Sequence, residues 1–206
     1  MGARKVVLSD IGDVVVYYDN GRTVEALAPY CSLPPEEVRR VLFSKADNGL
    51  AWDYCRGDLD TETFRRVAMN KVGCVGRCSD EEFDLAFRQI FTLNDDVVNL
   101  WKKLRNRGVS ITAVSDVEEM RHWELQKLGV MDLFDNAVLS YIEREVKPSE
   151  HMIRKALEVS GVRPNEAVFI DDKADHLPPA EALGVMTHHY KEFGDLREFL
   201  KVNGVG

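Results

Sequence analysis

A chain of 206 residues, 45% of them apolar, is long enough for one α/β core with a smaller appended unit. A net charge of −8 excludes a broad basic footprint for nucleic acid, so an anionic partner has to be met locally. No run approaches the ~20 apolar residues of a membrane span. Asp10 and Asp13 also break the apolar stretch that a signal peptide would need, so the sequence reads as cytoplasmic, with no membrane partner.

The first strand signal is Arg4-Lys5-Val6-Val7-Leu8, ending at Asp10. Residues 17–91 then carry helix signals without long strands. Pro34-Pro35-Glu36-Glu37 opens one helix with Val38, Val41 and Leu42 on a face, Asp60-Thr61-Glu62-Thr63 opens another with Phe64 and Val67 inward, and Ser79 to Glu82 fits a capping box. Asn94-Asp95-Asp96 caps a helix through Leu104, which leads into the strand Ile111-Thr112-Ala113-Val114. A helix from Glu118 to Leu128 stops at Gly129. The strand Ala137-Val138-Leu139 precedes Pro148-Ser149-Glu150 and a helix from His151 to Ser160, closed by Gly161. The strand Ala167-Val168-Phe169-Ile170 precedes a short helix around Pro179 to Leu183. Val185 to His188 and Leu196 to Val202 read as the last strand and the last helix. Such repeated βα units imply a parallel sheet covered by helices on both faces, with residues 17–91 as a helical insertion after the first strand.

If the strands are parallel, their C-terminal ends share one edge of the sheet. Asp10, Ser115, Lys147 and the pair Asp171-Asp172 would meet there. Carboxylates suit a divalent cation, while a hydroxyl and an amine suit a phosphate. The four cysteines, Cys31, Cys55, Cys74 and Cys78, have no histidine pair at zinc spacing and read as free thiols. His122, His176, His188 and His189 read as structural or solvated, since His188 and His189 are neighbours on a strand and face opposite ways.

In order along the chain, Ser9-Asp10-Ile11-Gly12-Asp13-Val14, Val114-Ser115-Asp116, Lys147-Pro148 and Ile170-Asp171-Asp172-Lys173-Ala174-Asp175 resemble the four motifs of the haloacid dehalogenase-like hydrolases. Trp52 to Leu59, with Phe64 following, resembles a cap segment of sugar-phosphate phosphatases in that family. The resemblance implies a Rossmann-like α/β fold with sheet order 3-2-1-4-5. The core would comprise 1–16 and 92–206, and the helical cap 17–91. It implies a magnesium-dependent phosphatase of a small phosphorylated metabolite, such as a sugar phosphate. Asp10 would be the nucleophile. Asp10, the Gly12 carbonyl and Asp171 would hold Mg2+, and Ser115, Asp116 and Lys147 would bind the substrate. Asp172 and Asp175 would support the site from behind. If Lys147 stands in a hydrated cleft, its removal should leave folding intact.

Two positions depart from the family pattern. Gly12 stands where many members carry a second Asp as acid and base; Asp13, one residue on, or a water could substitute. Asp116 stands where Asn is common, and it would repel a phosphate unless protonated or turned away. Trp52, Tyr54 and Arg56 could face the site or pack the cap, and Arg121 or His122 could reach the substrate. Three alternatives stay open: a 2-haloacid dehalogenase, a receiver-type signalling domain, and a non-catalytic member that binds metal, a phosphorylated ligand or a partner. Against the dehalogenase, the Asp171-Asp172 pair would repel a carboxylate substrate unless a cation were present. Against the receiver, its acid pair precedes the phospho-acceptor, whereas here the pair follows Lys147.

Overall fold

The structure is a computed structural model that describes residues 6–44 and 49–205. Arg4 and Lys5, placed by the sequence at the start of the first strand, lie outside the described residues. The chain begins with β1 (Val6–Ser9) and β2 (Val16–Tyr18). Five helices follow: α1 (Asn20–Leu27), α2 (Pro35–Phe43), α3 (Leu50–Cys55), α4 (Thr61–Val72) and α5 (Asp80–Arg88). After β3 (Phe91–Leu93) come α6 (Asp95–Asn106), β4 (Ser110–Ser115), α7 (Glu119–Lys127), β5 (Asn136–Leu139), α8 (Ser140–Glu143) and α9 (Glu150–Ser160). The chain closes with β6 (Ala167–Asp171), α10 (Pro178–Ala182), β7 (Met186–His189) and α11 (Phe193–Val202).

Five strands form one sheet in the order β5-β4-β1-β6-β7, and every pairing in it is parallel. Counted within this sheet alone, the order is 3-2-1-4-5. The full numbering differs because β2 and β3 intervene and pair antiparallel with each other in a separate two-stranded ribbon. These two strands leave no signal in the sequence. At three residues each they are too short for a period-2 pattern to stand out.

Alternation along β1 sorts its side chains to two faces. Val7 joins Ile111, Val168, Trp101 and Leu196 in one cluster, beneath α6 and α11. Val6 and Leu8 join Phe169, Met152 and Ile153 in another, beneath α9. Burial on both faces explains why β1 reads as an unbroken apolar run, the pattern of a central parallel strand.

The helices between Tyr18 and Phe91 gather a third cluster around Leu27, Leu42, Tyr54, Phe64, Phe83 and Phe87. Its centre is aromatic: Phe64 lies 4.4 Å from the Tyr54 ring and 4.8 Å from the Phe87 ring. The capping box at Ser79 and Glu82 is present, which fixes the start of α5. The inserted helices are tied to the helices that follow β4 and β5, α7 and α8. The Met120 N–H donates to the Tyr54 hydroxyl at 3.0 Å, and the Ser140 hydroxyl donates to the Cys55 carbonyl at 2.7 Å. Gly57, at φ +74°, makes the closest approach; a Cβ there would fall 2.4 Å from the Tyr141 carbonyl oxygen, so only glycine fits. No helix among the described residues is long and apolar enough to cross a membrane.

Candidate active site

Register carries the motifs to one place. Ser9 pairs with Ala113 on one side of β1 and with Ile170 on the other, so the next residues, Asp10, Val114 and Asp171, stand level at the sheet edge. The Asp10 N–H donates to the Ile170 carbonyl at 2.9 Å, holding the first residue past β1 in line with the sheet. Asp10 Oδ1 accepts from the Ile11 N–H at 2.7 Å and from the Ser115 hydroxyl at 2.9 Å. Lys147 Nζ lies 2.9 Å from Asp10 Oδ2 and 2.6 Å from Asp171 Oδ2, bridging the two acids.

The Lys147 side chain is 2% exposed, so it stands in protein and not in a hydrated cleft. That overturns the condition under which its removal would spare folding. Burial alone would lower the Lys147 pKa, but the carboxylates of Asp10 and Asp171 outweigh it and hold the ammonium well above its ordinary value. Burial would likewise raise Asp171, and Lys147 and His176 outweigh it in the other direction.

The remaining expected residues divide. Asp172 is half-buried beside this pair; burial and then Asp10 push its carboxyl up to about 6. Its Oδ1 is buried with no hydrogen-bond partner among the described residues. Asp175 is exposed and makes no hydrogen bond to the site, so it does not orient the motif. That task falls to His176, which is buried with Nδ1 3.0 Å from Asp171 Oδ1. A carboxylate only accepts, so Nδ1 carries the proton there. Of the two readings open for His176, structural or solvated, the structure has the first: its buried ring holds the Asp171 carboxylate.

Asp116 is not free to meet a substrate with its whole carboxylate. Its Oδ1 accepts from the Lys147 N–H at 3.0 Å, tying the loop after β4 to Lys147, and burial raises its pKa. Asp13 sits at φ +53° and donates its N–H to the Val16 carbonyl. Its carboxylate accepts from the Tyr18 backbone, and burial raises its pKa. It is absent from the cavity wall, whereas Gly12 lines it. A Cβ on Gly12 would come within 3.2 Å of the Tyr18 ring, so the ring occupies the space that a side chain there would need.

Above the motifs lies a cavity of about 120 Å³. Asp10 and Ser115 line it from the sheet edge, Lys147 from the segment before α9, and Phe43 and Trp52 from the inserted helices. Of the three insert residues named from sequence, only Trp52 reaches it. Tyr54 is buried against Phe64, and Arg56 is paired with Asp53 and Asp58. Arg121 lines the cavity, while His122 turns to the Tyr141 hydroxyl at 2.9 Å. Lys173 and Glu118 also line it and were not anticipated. Lys173 follows the acid pair directly, so its position was there to be noticed. Glu118 looked like an ordinary helix-start acid. The four cysteines are free thiols. His188 stacks on Phe199 and His189 bonds the Asp172 carbonyl, on opposite faces of β7.

Carboxylate oxygens are hard donors that suit magnesium. The unpartnered buried oxygen of Asp172, beside Asp10 and Asp171, fits a site completed by a cation.

A family model described as haloacid dehalogenase-like hydrolase matches residues 5–184. A glyceraldehyde 3-phosphate phosphatase from Methanopyrus kandleri is 32% identical over 195 residues, covering 83% of this chain and 76% of that protein. A haloacid dehalogenase family enzyme from Bacteroides thetaiotaomicron, solved in complex with magnesium and inorganic phosphate, has a similar fold. Its TM-score is 0.77 at 23% identity, over 91% of this chain and 94% of that one. The L-2-haloacid dehalogenase of Xanthobacter autotrophicus shares the fold at a TM-score of 0.61 and 18% identity, over 95% of this chain and 82% of that one.

Proposed function

We propose, for a chain that belongs to the haloacid dehalogenase-like hydrolases, a magnesium-dependent phosphatase acting on a small phosphorylated metabolite through an aspartyl-phosphate. The observation that carries this reading is the bridge of Lys147 between Asp10 and Asp171, with the Ser115 hydroxyl on the same Asp10 carboxylate. The phosphatase relative from Methanopyrus kandleri supports the substrate class.

In this reading an Asp10 oxygen attacks phosphorus and the ester oxygen departs. Water then attacks the phosphorus of the acyl phosphate, releasing inorganic phosphate and the free carboxylate. Lys147 offsets the negative charge that gathers as a phosphate nears Asp10, and Ser115 turns its hydroxyl to a phosphoryl oxygen. Asp10, the Gly12 carbonyl and Asp171, with Asp172 behind them, would hold Mg2+, which supplies charge neutralisation at the phosphoryl group. Because Asp13 stays out of the cavity wall, the departing oxygen is protonated from water. Esters with good leaving groups should therefore be favoured. Residues 17–91 act as a cap over the core of 1–16 and 92–206, keeping bulk water from the acyl phosphate.

Rapid acid quench during turnover tests the reading. An acyl phosphate is expected on the peptide containing Asp10, and none in Asp10→Asn, which should fold but not turn over. Fast turnover with no trapped adduct, when adduct decay is shown to be slow, would remove Asp10 as nucleophile. Full activity after rigorous chelation would favour the dehalogenase alternative.

A further inference from the structure

The cavity wall also holds a second pair of buried charges that phosphoryl transfer does not use. Glu118 and Arg121 are each 8% exposed at the side chain and pair at 3.3 Å. Both line the cavity. Arg121 is fully committed. It donates to the Asn20 Oδ1 at 2.6 Å and to the Phe87 carbonyl at 3.4 Å, and its guanidinium lies 4.4 Å from the centre of the Phe87 ring. Its charge is balanced by Glu118, so it does not call for a second anion.

Glu118 is not committed to the same degree. Its carboxylate accepts two long bonds, at 3.3 and 3.4 Å, both from the one Arg121 Nη1. It stands at the N-cap of α7 and makes no capping bond. An ionised carboxylate has about four acceptor sites, so Glu118 can accept from a donor in the cavity while it keeps Arg121. Nearby, the Asn20 oxygen is spent on Arg121, which leaves its amide N–H groups available as donors. Phe43 and Trp52 supply apolar surface between these polar groups.

We propose that Glu118, fixed by Arg121, is a specificity-determining residue that accepts hydrogen bonds from hydroxyl groups on the leaving side of the substrate. The enzyme would then select an uncharged, hydroxyl-bearing phosphate ester. An alkyl ester would take water from Glu118 and return no donor, which is costly for a buried charge. An ester with a second anion would meet the Glu118 charge, while the guanidinium beside it, Arg121, is already paired. This inference rests on the phosphatase reading.

The test compares matched esters with magnesium present: glycerol phosphate, propyl phosphate and 3-phosphoglycerate, with p-nitrophenyl phosphate as the check on phosphoryl transfer itself. In the unmodified enzyme, kcat/KM for glycerol phosphate should exceed that for propyl phosphate by about a hundredfold or more. Glu118→Gln should shrink that ratio at least tenfold and raise phosphoglycerate relative to glycerol phosphate, since Arg121 is then unbalanced. Glu118→Asp, which keeps the charge and shortens the reach, should fall between the two. Turnover of the aryl ester with a glycerol-to-propyl ratio near one would overturn the proposal and leave the phosphatase reading standing. So would a ratio unchanged in a folded Glu118→Gln protein. If the aryl ester too is inert, the phosphatase reading falls and this proposal falls with it.

Discussion

The sheet edge and the inserted helices bury their side chains on opposite terms. At the edge, Asp10, Lys147 and Asp171 are 5%, 4% and 0% exposed, and each is held by charge and hydrogen bonds. In the insert, Phe64, Phe83 and Phe87 are fully buried and held by ring packing, with centroid separations from 4.8 to 6.4 Å. One region is sensitive to charge balance and the other to volume. Truncations should therefore fail in different ways, and the failures can be told apart.

Lys147→Ala should give the largest effect. Turnover should fall by about a thousandfold or more, because phosphate would approach Asp10 without its neutralising partner. The variant should also lose about 3–5 kcal/mol of stability in EDTA, the cost of stranding a buried charge. The deficit should shrink as pH falls and the stranded carboxylates take up protons, and denaturation across pH would show it. A stable Lys147→Ala protein at neutral pH would break the contrast.

Phe64→Ala should cost about 3–5 kcal/mol through the void it leaves. That loss should be independent of pH between 5 and 8 and of magnesium. Hydrogen exchange should place the loosened amides between Asn20 and Arg88. Loosening spread equally through β1 and β4 would mean that the two regions do not bury their cores separately.

The smallest effect sharpens the role of burial. Asp135, at the opposite end of the same sheet, accepts from the Ile111 N–H and pairs with Arg105 at 2.8 Å, about a third exposed. Burial would raise its pKa, but those donors and the Ser110 hydroxyl hold it below the ordinary value. A depressed carboxylate contributes stability that is present above its unfolded pKa, near 3.9, and lost as pH falls through its folded value. Asp135→Asn should therefore melt slightly below the unmodified protein at pH 6, and the gap should close toward pH 2. A gap that widens on acidification would reverse the assignment.

Polar residues at strand ends were legible in the sequence because a parallel sheet sends all its C-terminal ends to one side. Asp10, Ser115 and Asp171 needed only the strands to be found, whereas Lys147 lies beyond α8 and was placed by its motif. Other features depend on contacts that no periodicity encodes. His176 was left as structural or solvated because nothing local to it announces the Asp171 carboxylate. Asp175 looked placed because its spacing was right, while its side chain points to solvent. α1 went unassigned although Asp19 caps it, because Gly21 in its first turn disfavours a helix, and α3 because Gly49 offers no capping side chain. Glu118 and Arg121 stand three residues apart on one helix, a spacing that usually marks a solvated pair. Only the packing of α1, α2 and α5 over them makes that pair part of a cavity.

The β2–β3 ribbon joins the insert to the core at neighbouring points, with Tyr18 paired to Phe91. The chain thus leaves and re-enters the core at nearly one spot. In evolutionary terms this is a socket. A different set of helices, longer or shorter, can be plugged in at that pair without shifting any strand of the five-stranded sheet. Substrate range can then drift by exchange of the plug while the chemistry beneath it stays fixed.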